Sequence, residues 1–305
     1  MTGTRIKKKK NPIRILFICF AIAIPTLHFL LTYVYVNFNA ILMGFYRTIG
    51  GEKVWGFENF KQFFSEFNKT TTELGLSFKN TFLTFGIQVL MYPVGIVVSY
   101  FLYKKIFLHN VFRLVFFFPM IVSSVVIVAV FKGLAAPEGL LARLVQTLWG
   151  LERPPEILAS DRFANLGVWL FMVWMGFPGN LILWGGTFSR IPDSLLEYGK
   201  LEGIGWGGEL FRIILPLVWP TVSLTLILLF AGIFSASGSV FLLTNGKFGT
   251  QTFSNWMYMQ VYEATSPNSN VLNYMSAVGL MITVVASIIA LTVRKFSTRF
   301  EEVEY

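Results

Sequence analysis

Residues 197–220 of this 305-residue chain read EYGKLEGIGWGGELFRIILPLVWP: three acids, a lysine, an arginine, five glycines and two prolines set between two long apolar runs. Such residues do mechanical rather than bond-making chemistry. Ser194, with Glu197 three residues later, fits a capping box, in which hydroxyl and carboxylate each satisfy an orphan amide at a helix start. The helix is predicted to run about two and a half turns. It ends near Gly203 and Gly205, which permit the backbone of a C-cap and a turn. A second helix is predicted to start near Trp206 and to become a span at Leu215-Pro216. A helix as short as the first is marginal alone in water. With Leu195, Leu196, Leu201 and Ile204 among its charges it must dock, either on the chain's own ends or on a separate partner.

Bond-making chemistry has little to work with elsewhere. No GxxxxGK[ST] phosphate loop occurs, so ATP is not expected to bind here by that device. The two histidines, His28 and His109, are far apart, and no metal-ligand spacing or Ser/His/Asp set is visible. The single cysteine, Cys19, lies inside an apolar run, which excludes an internal disulfide. Near the middle of the apolar runs the polar groups are His28, Gln88, Asn180 and several serines. Intramembrane acids, the usual carriers of proton or sodium coupling, are missing there, which weakens a self-sufficient secondary transporter or channel.

The elements that position the 197–220 segment follow from composition. Of the residues, 54% are hydrophobic and 13% charged, with a mean hydropathy of +0.63. A soluble domain is about one quarter charged. Six apolar runs reach the roughly 20 residues needed to cross a ~30 Å hydrocarbon core: about 13–36, 81–103, 114–131, 166–186, 213–234 and 274–293. The fold class expected is an all-α membrane protein of six transmembrane helices within one domain, 13–300, after a basic stretch, 1–12. The first run is too long for a signal peptide and is taken as a retained span. Prolines at 25, 93, 119, 178 and 216 are tolerable where packed neighbours satisfy the freed carbonyls.

The net charge of +9 reads as an orientation signal rather than a nucleic-acid one, because the bases lie between spans. With the N-terminus inside, 15 of the 25 Lys and Arg fall in short inner segments. These include Arg5, Lys7–Lys10 and Arg14, then Lys104, Lys105 and Arg113, then Arg190, Lys200 and Arg212, then Arg294, Lys295 and Arg299. Both termini, and the loop 190–212, are therefore expected in the cytoplasm. Outside, VWGFENFKQFFSEF reads as an amphipathic helix with Phe57, Phe60, Phe63, Phe64 and Phe67 recurring on one side. SGSVFLLTNGKFGTQTF reads as a loop with Asn-Gly and Phe-Gly turns and no helical period.

The 190–216 segment resembles the EAA loop of binding-protein-dependent ABC importer permeases, roughly E-A-A-x-x-D-G-A and then I-x-L-P, with nine residues between the Gly and the I. Glu197 stands at the E, Glu202 replaces the Asp, Gly203 keeps the Gly, and Ile213, Leu215 and Pro216 fall at I-x-L-P. Tyr198 and Gly199 depart from the two alanines and Ile204 from the third. The stretches GFENF, KNTF, VFRLVFFFP, VFKGL, VWMGFP and LLTNG extend the likeness over nearly the whole chain. It is nearest the carbohydrate-uptake branch, in particular the larger maltose-type permease subunit. A short glycine-rich tail found in the other permease type is lacking, which implies one half of a heterodimer.

The resemblance implies a type I ABC importer permease fold in a bacterial cell membrane. Its partners would be a second permease, two ABC ATPase subunits that hold the ATP and Mg, an extracellular solute-binding protein and a sugar, with no cofactor or metal in this chain. The 190–212 helix would be a coupling helix in a cleft of the ATPase. Glu197 would cap its own helix or bond the ATPase, Gly203 would allow the sharp turn, and Leu215-Pro216 would set the entry into the span. Positions matching the sugar-facing ones of the maltose-type permease are Met120, Ser124, Met175, Gly176 and the region Ser235–Ser239. Trp174 and Trp184 would be platforms for a sugar or anchors at span ends. Asn180, Ser235, Ser237 and Ser239 would bond substrate, the serines alternatively packing helices.

Overall fold

The computed structural model of the chain describes residues 12–67, 73–235, 238–263 and 270–298. The basic stretch 1–12 (all but Pro12), Ser237 and Arg299 lie outside them. The chain divides into two compact units, 1–63 with 264–280 and 64–263 with 281–305.

In the first unit, α1 (Pro12–His28) continues through a π-helical segment, Phe29–Tyr35, into α2 (Val36–Gly44). From Leu16 to Gly44 there is no Asp, Glu, Lys or Arg, and the most apolar stretch has no buried residue. Its polar side chains bond back along the helix: Thr32 Oγ1 donates to the His28 carbonyl at 2.6 Å and Asn37 Nδ2 to that of Tyr33 at 2.6 Å. A hairpin follows, β1 (Tyr46–Ile49) antiparallel to β2 (Glu52–Trp55). Gly50 and Gly51 turn it with φ of +62° and +89°, the left-handed pair that a two-residue hairpin turn of matching twist requires. The hairpin claims Val54 and Trp55, so the amphipathic helix read from VWGFENFKQFFSEF starts only at Glu58, in α3 (Glu58–Phe67). Buried Asn59 donates to the carbonyls of Gly44 and Tyr46, both at 3.1 Å, and ties α3 to the corner. The Asn270 carboxamide pairs with both backbone groups of Thr48, at 2.8 and 2.9 Å.

The second unit is built on α4 (Glu73–Tyr103), which packs along α8 (Ala164–Phe188). Between them α5 (His109–Ile121) and α6 (Ser124–Ala135) divide the apolar run 114–131, meeting at 116°. Val122 and Ser123 are extended at the break, with ψ of 144° and 139°. Then come α7 (Leu140–Trp149), α8, α9 (Asp193–Leu201), the single turn α10 (Trp206–Gly208), a π-helical segment Glu209–Ile214 and α11 (Leu215–Ala231). The stretch read as lacking helical period holds two turns of helix, α12 (Gly238–Thr244), before a turn with left-handed Asn245, Gly246, Phe248 and Gly249. Next follow α13 (Phe253–Glu263) and, from residue 281 on, the second part of α14 (Asn270–Ser297), whose last carbonyl accepts the Trp219 indole N–H at 2.8 Å.

Among the described residues, two apolar cores stand out in this unit. One gathers Ile127, Phe131, Val145, Val168, Phe171 and Val240 from α6, α7, α8 and α12. The other gathers Tyr100, Trp184, Phe188, Leu196, Leu210 and Ile214, so residues from α4, α8, α9 and the π-helical segment share one interior.

Candidate functional site: a surface helix on a fixed joint and a cavity between α4 and α8

The helix α9 covers nine residues, but the capping box does not form. Pro192 occupies the N-cap position, no side chain caps the helix, and Ser194 already lies inside the first turn. Pro192 is suited to this place because its fixed φ, −60° here, leads into the helix, and the Asp193 carboxylate complements the positive helix end. The far end is a Schellman motif. Gly203 has φ +74°, its N–H donates to the Lys200 carbonyl at 3.0 Å, and the Ile204 N–H donates to the Gly199 carbonyl at 3.0 Å.

Leu196 and Gly199, three apart, form the buried side of α9. Gly199 is closed in: a Cβ there would come within 2.7 Å of Ile213 Cδ1, so the glycine that departs from the resembled alanine lets Ile213 approach. Gly208 plays the same part for Ile204, with 2.6 Å to its Cγ2. The opposite side is bare, Tyr198 66% and Leu201 83% exposed with Glu197 and Glu202 beside them. Glu197 has no hydrogen-bond or ion-pair partner among the described residues. Leu215 and Pro216 open α11 directly after the buried Ile214. The structure thus brings Glu197, Glu202, Gly203, Ile213, Leu215 and Pro216 into one continuous joint.

A cavity of ≈ 380 Å³ lies between α4 and α8. Of the sequence-derived pathway residues, Met175, Gly176 and Asn180 line it from α8, and Ser235 and Ser239 from beyond α11. Three do not. Met120 and Ser124 flank the 116° break, are exposed and are not among the lining residues. Trp174 turns into the α6–α8 core, its ring 6.4 Å from those of Phe131 and Phe171. Trp184 is no platform either. It is fully buried, stacked edge-on against Tyr92 at 5.0 Å, in space that Gly95 leaves: a Cβ at Gly95 would lie 2.8 Å from its ring.

The wall formed by α4 was missing from the sequence reading apart from Gln88. Thr84, Gln88, Met91, Tyr92 and Gly95 recur at helical spacing on one face, a stripe that average hydropathy conceals. The Trp169 indole N–H donates to Thr84 Oγ1 at 3.2 Å across the two helices. The Tyr92 hydroxyl donates to the Val222 carbonyl at 2.7 Å and lies 2.5 Å from Thr225 Oγ1, so it joins α4 to α11. Among the described residues, no lining residue is Asp, Glu, Lys, Arg or His. Polar but uncharged groups and the Trp169 ring suit a hydroxylated, uncharged ligand. The described residues also contain no group of His, Cys, Asp and Glu that could hold a metal ion.

The comparisons with known proteins agree with this architecture. Residues 91–301 match the family described as binding-protein-dependent transport system inner membrane component. A probable ABC transporter permease protein, YurN of Bacillus subtilis, is 27% identical over 189 residues, 61% of this chain and 63% of that protein. The maltose/maltodextrin transport system permease protein MalF of Salmonella typhimurium is 27% identical over 232 residues, 68% of this chain and 44% of that protein. The chain thus spans less than two thirds of the length of these curated relatives. Two crystal structures share the fold. A bacterial ABC transporter involved in import of the acidic polysaccharide alginate matches with a TM-score of 0.76 at 19% identity, covering 94% of this chain and 97% of that one. An alginate transporter in complex with its alginate pentasaccharide-bound periplasmic protein matches with 0.77 at 20%, covering 96% and 98%.

Proposed function

Since the chain belongs to the binding-protein-dependent transport inner membrane components, we propose that it is the permease half of an ATP-driven importer for an uncharged sugar or oligosaccharide. It is a multi-pass membrane protein and a transport subunit. In the proposed assembly it pairs with a second permease in the bacterial cell membrane, an extracellular binding protein delivers the sugar, and two ATPase subunits bind the ATP and Mg. The bare side of α9 faces the cytoplasm and seats in an ATPase cleft, with Glu197, Tyr198 and Leu201 as the contacting groups. Glu202 flanks them, Gly203 sets the turn, and Ile213, Leu215 and Pro216 carry the displacement into α11. The sugar passes Met175, Gly176, Asn180, Ser235 and Ser239. Met120 and Ser124, exposed at the α5–α6 bend, extend that route beyond the cavity, and Trp174 packs behind it against Phe131 and Phe171.

The observation that carries the reading is the two-sided character of α9. Leu196 and Gly199 fix one side into the chain's own core while Tyr198 and Leu201 stand exposed on the other. A short helix that must dock has only half of its docking within this chain. An uncharged substrate is supported by the cavity's uncharged lining.

The test is purification of the tagged chain from its native membrane with mass spectrometry of what accompanies it, followed by uptake assays in vesicles. An ATPase, a second permease and a binding protein are expected, with ATP-dependent uptake that neutral oligosaccharides compete and uronates do not. A chain that purifies alone and transports without ATP overturns the importer reading in favour of a secondary transporter. Competition by uronates overturns the uncharged substrate.

A further inference from the structure

Glu209, the first residue of the π-helical segment, is 5% exposed and forms an ion pair with Lys104 just beyond the end of α4. The Lys104 ammonium also lies over the Tyr100 ring, 5.8 Å from its centroid, and Tyr100 is 2% exposed. Among the described residues the other ion pair, Lys61 with Glu58, is solvent-exposed. The Glu209 side chain is 7% exposed and that of Lys104 24%, so the pair is buried on its acidic side. Such a pair is a poor source of stability, because desolvation offsets the attraction and apolar residues of similar volume often serve better. Its use is to specify one arrangement.

The surroundings say which arrangement. The Glu209 N–H donates to the Gly205 carbonyl at 2.9 Å, so the backbone of Glu209 is fixed to the turn that follows α9 and its carboxylate reaches Lys104 from there. Leu210 and Ile214 on the same segment are fully buried. The Phe101 ring meets Trp206 at 5.5 Å, a second link between α4 and this joint. Farther back on α4, Gln88, Tyr92 and Gly95 line the cavity. A continuous helix transmits an axial or tilting displacement along its length at 1.5 Å per residue.

We propose that Lys104 and Glu209 are a positioning pair that couples the α9 joint to α4, so that movement of the joint shifts the cavity wall. The proposal rests on the importer reading for the source of that movement, and extends it to residues outside the resembled motif. Neither residue touches substrate or nucleotide. They act by keeping the joint and α4 in one register. With the pair broken, movement of α9 is taken up in the 205–214 turn instead of reaching Gln88 and Tyr92.

The experiment uses the complete transporter in vesicles and measures sugar uptake and ATP hydrolysis together for Glu209→Gln, for the apolar pair Lys104→Met with Glu209→Leu, and for the exchange Lys104→Glu with Glu209→Lys. Glu209→Gln is expected to copurify with the ATPase and hydrolyse ATP while sugar moved per ATP falls roughly tenfold, within the range that coupling residues command. The apolar pair is expected to melt no lower than the parent yet stay uncoupled. The exchange is expected to recover much of the ratio. An unchanged ratio in Glu209→Gln, or an apolar pair that restores it together with stability, overturns the proposal and leaves the pair as packing. In the isolated chain, Glu209→Gln should speed amide hydrogen exchange at 205–214 and leave 218–231 unchanged. This arm needs no ATPase. Its success beside a parent chain that binds no ATPase would sink the importer reading alone, and unchanged exchange at 205–214 would sink the positioning pair alone.

Discussion

Two parts of α4 live by different rules. At its end, Tyr100 is enclosed with Glu209, Leu210 and Ile214, and the half-buried Lys104 that follows pairs with the buried Glu209 carboxylate. Earlier on the same helix, Gln88 and Tyr92 face ≈ 380 Å³ of open space with no charge around it. The joint is a close-packed arrangement in which glycines at 199 and 208 remove the side chains that would keep elements apart. The cavity is a wall of adaptable methionines with a few amide and hydroxyl groups. A protein that moves a ligand needs both: a stiff place to receive a displacement and a weakly binding place to release a solute. Specificity of geometry is concentrated at the first, and tolerance at the second.

Substitutions can break or sharpen that contrast. The largest effect is expected from Gly203→Val. Nothing lies within 4 Å of an added Cβ there, so the whole cost comes from the φ of +74°, roughly 1–2 kcal/mol for an L-residue and more for a β-branched one. Uptake should be lost while the amount in the membrane, followed by immunoblot, is unchanged. Normal uptake would show that the turn need not be rigid. Next, Gly95→Ala drives a methyl into the Trp184 ring and should cost about 1–3 kcal/mol of stability, read as a lower melting temperature in detergent. An unaltered melt would mean that the cavity floor yields as easily as its rim.

Glu197→Ala should weaken association with the ATPase roughly fivefold, as loss of an exposed charge contact does, and leave the melting temperature alone because the carboxylate caps nothing. A drop in melting temperature without loss of binding would move Glu197 to the structural side of the contrast. Asn180→Ala should raise the KM for sugar about threefold to fivefold, the worth of one hydrogen bond, with sugar per ATP constant. The smallest effect belongs to Ser124→Ala, where uptake should stay within about 0.5 kcal/mol of the parent. A KM change there as large as that at Asn180 would make the bend a binding position on the solute's route.

How far these two regions can be read from sequence follows the same contrast. The end of α9 is legible because a left-handed backbone all but requires glycine, so Gly203 announces itself. Its beginning is misleading: Ser194 and Glu197 have capping-box spacing, but Pro192 starts the helix two residues earlier. The cavity is legible only in part. Met175, Gly176 and Asn180 lie on one helix, but the α4 wall depends on which helix α4 packs against, and hydropathy does not say. Met120 and Ser124 sit at a 116° break between α5 and α6 that hydropathy does not announce, outside the lining of this cavity. Glu209 and Lys104 are distant in sequence, and each looks locally like an ordinary charge at a span end. The hairpin at 46–55 carried its signal in Gly50-Gly51, overlooked because the aromatic spacing after it suggested helix.

The helix from Leu16 to Gly44 has a consequence of another kind. With no charged side chain, and with a mean hydropathy of 2.0 and no buried residue in its most apolar stretch, its residence in hydrocarbon is decided by its own composition. Transfer into lipid is for this segment a partition equilibrium, settled before any tertiary contact forms. Scrambling its apolar residues at constant length and composition should therefore alter what lies beside it, lipid or protein, far more than whether it inserts.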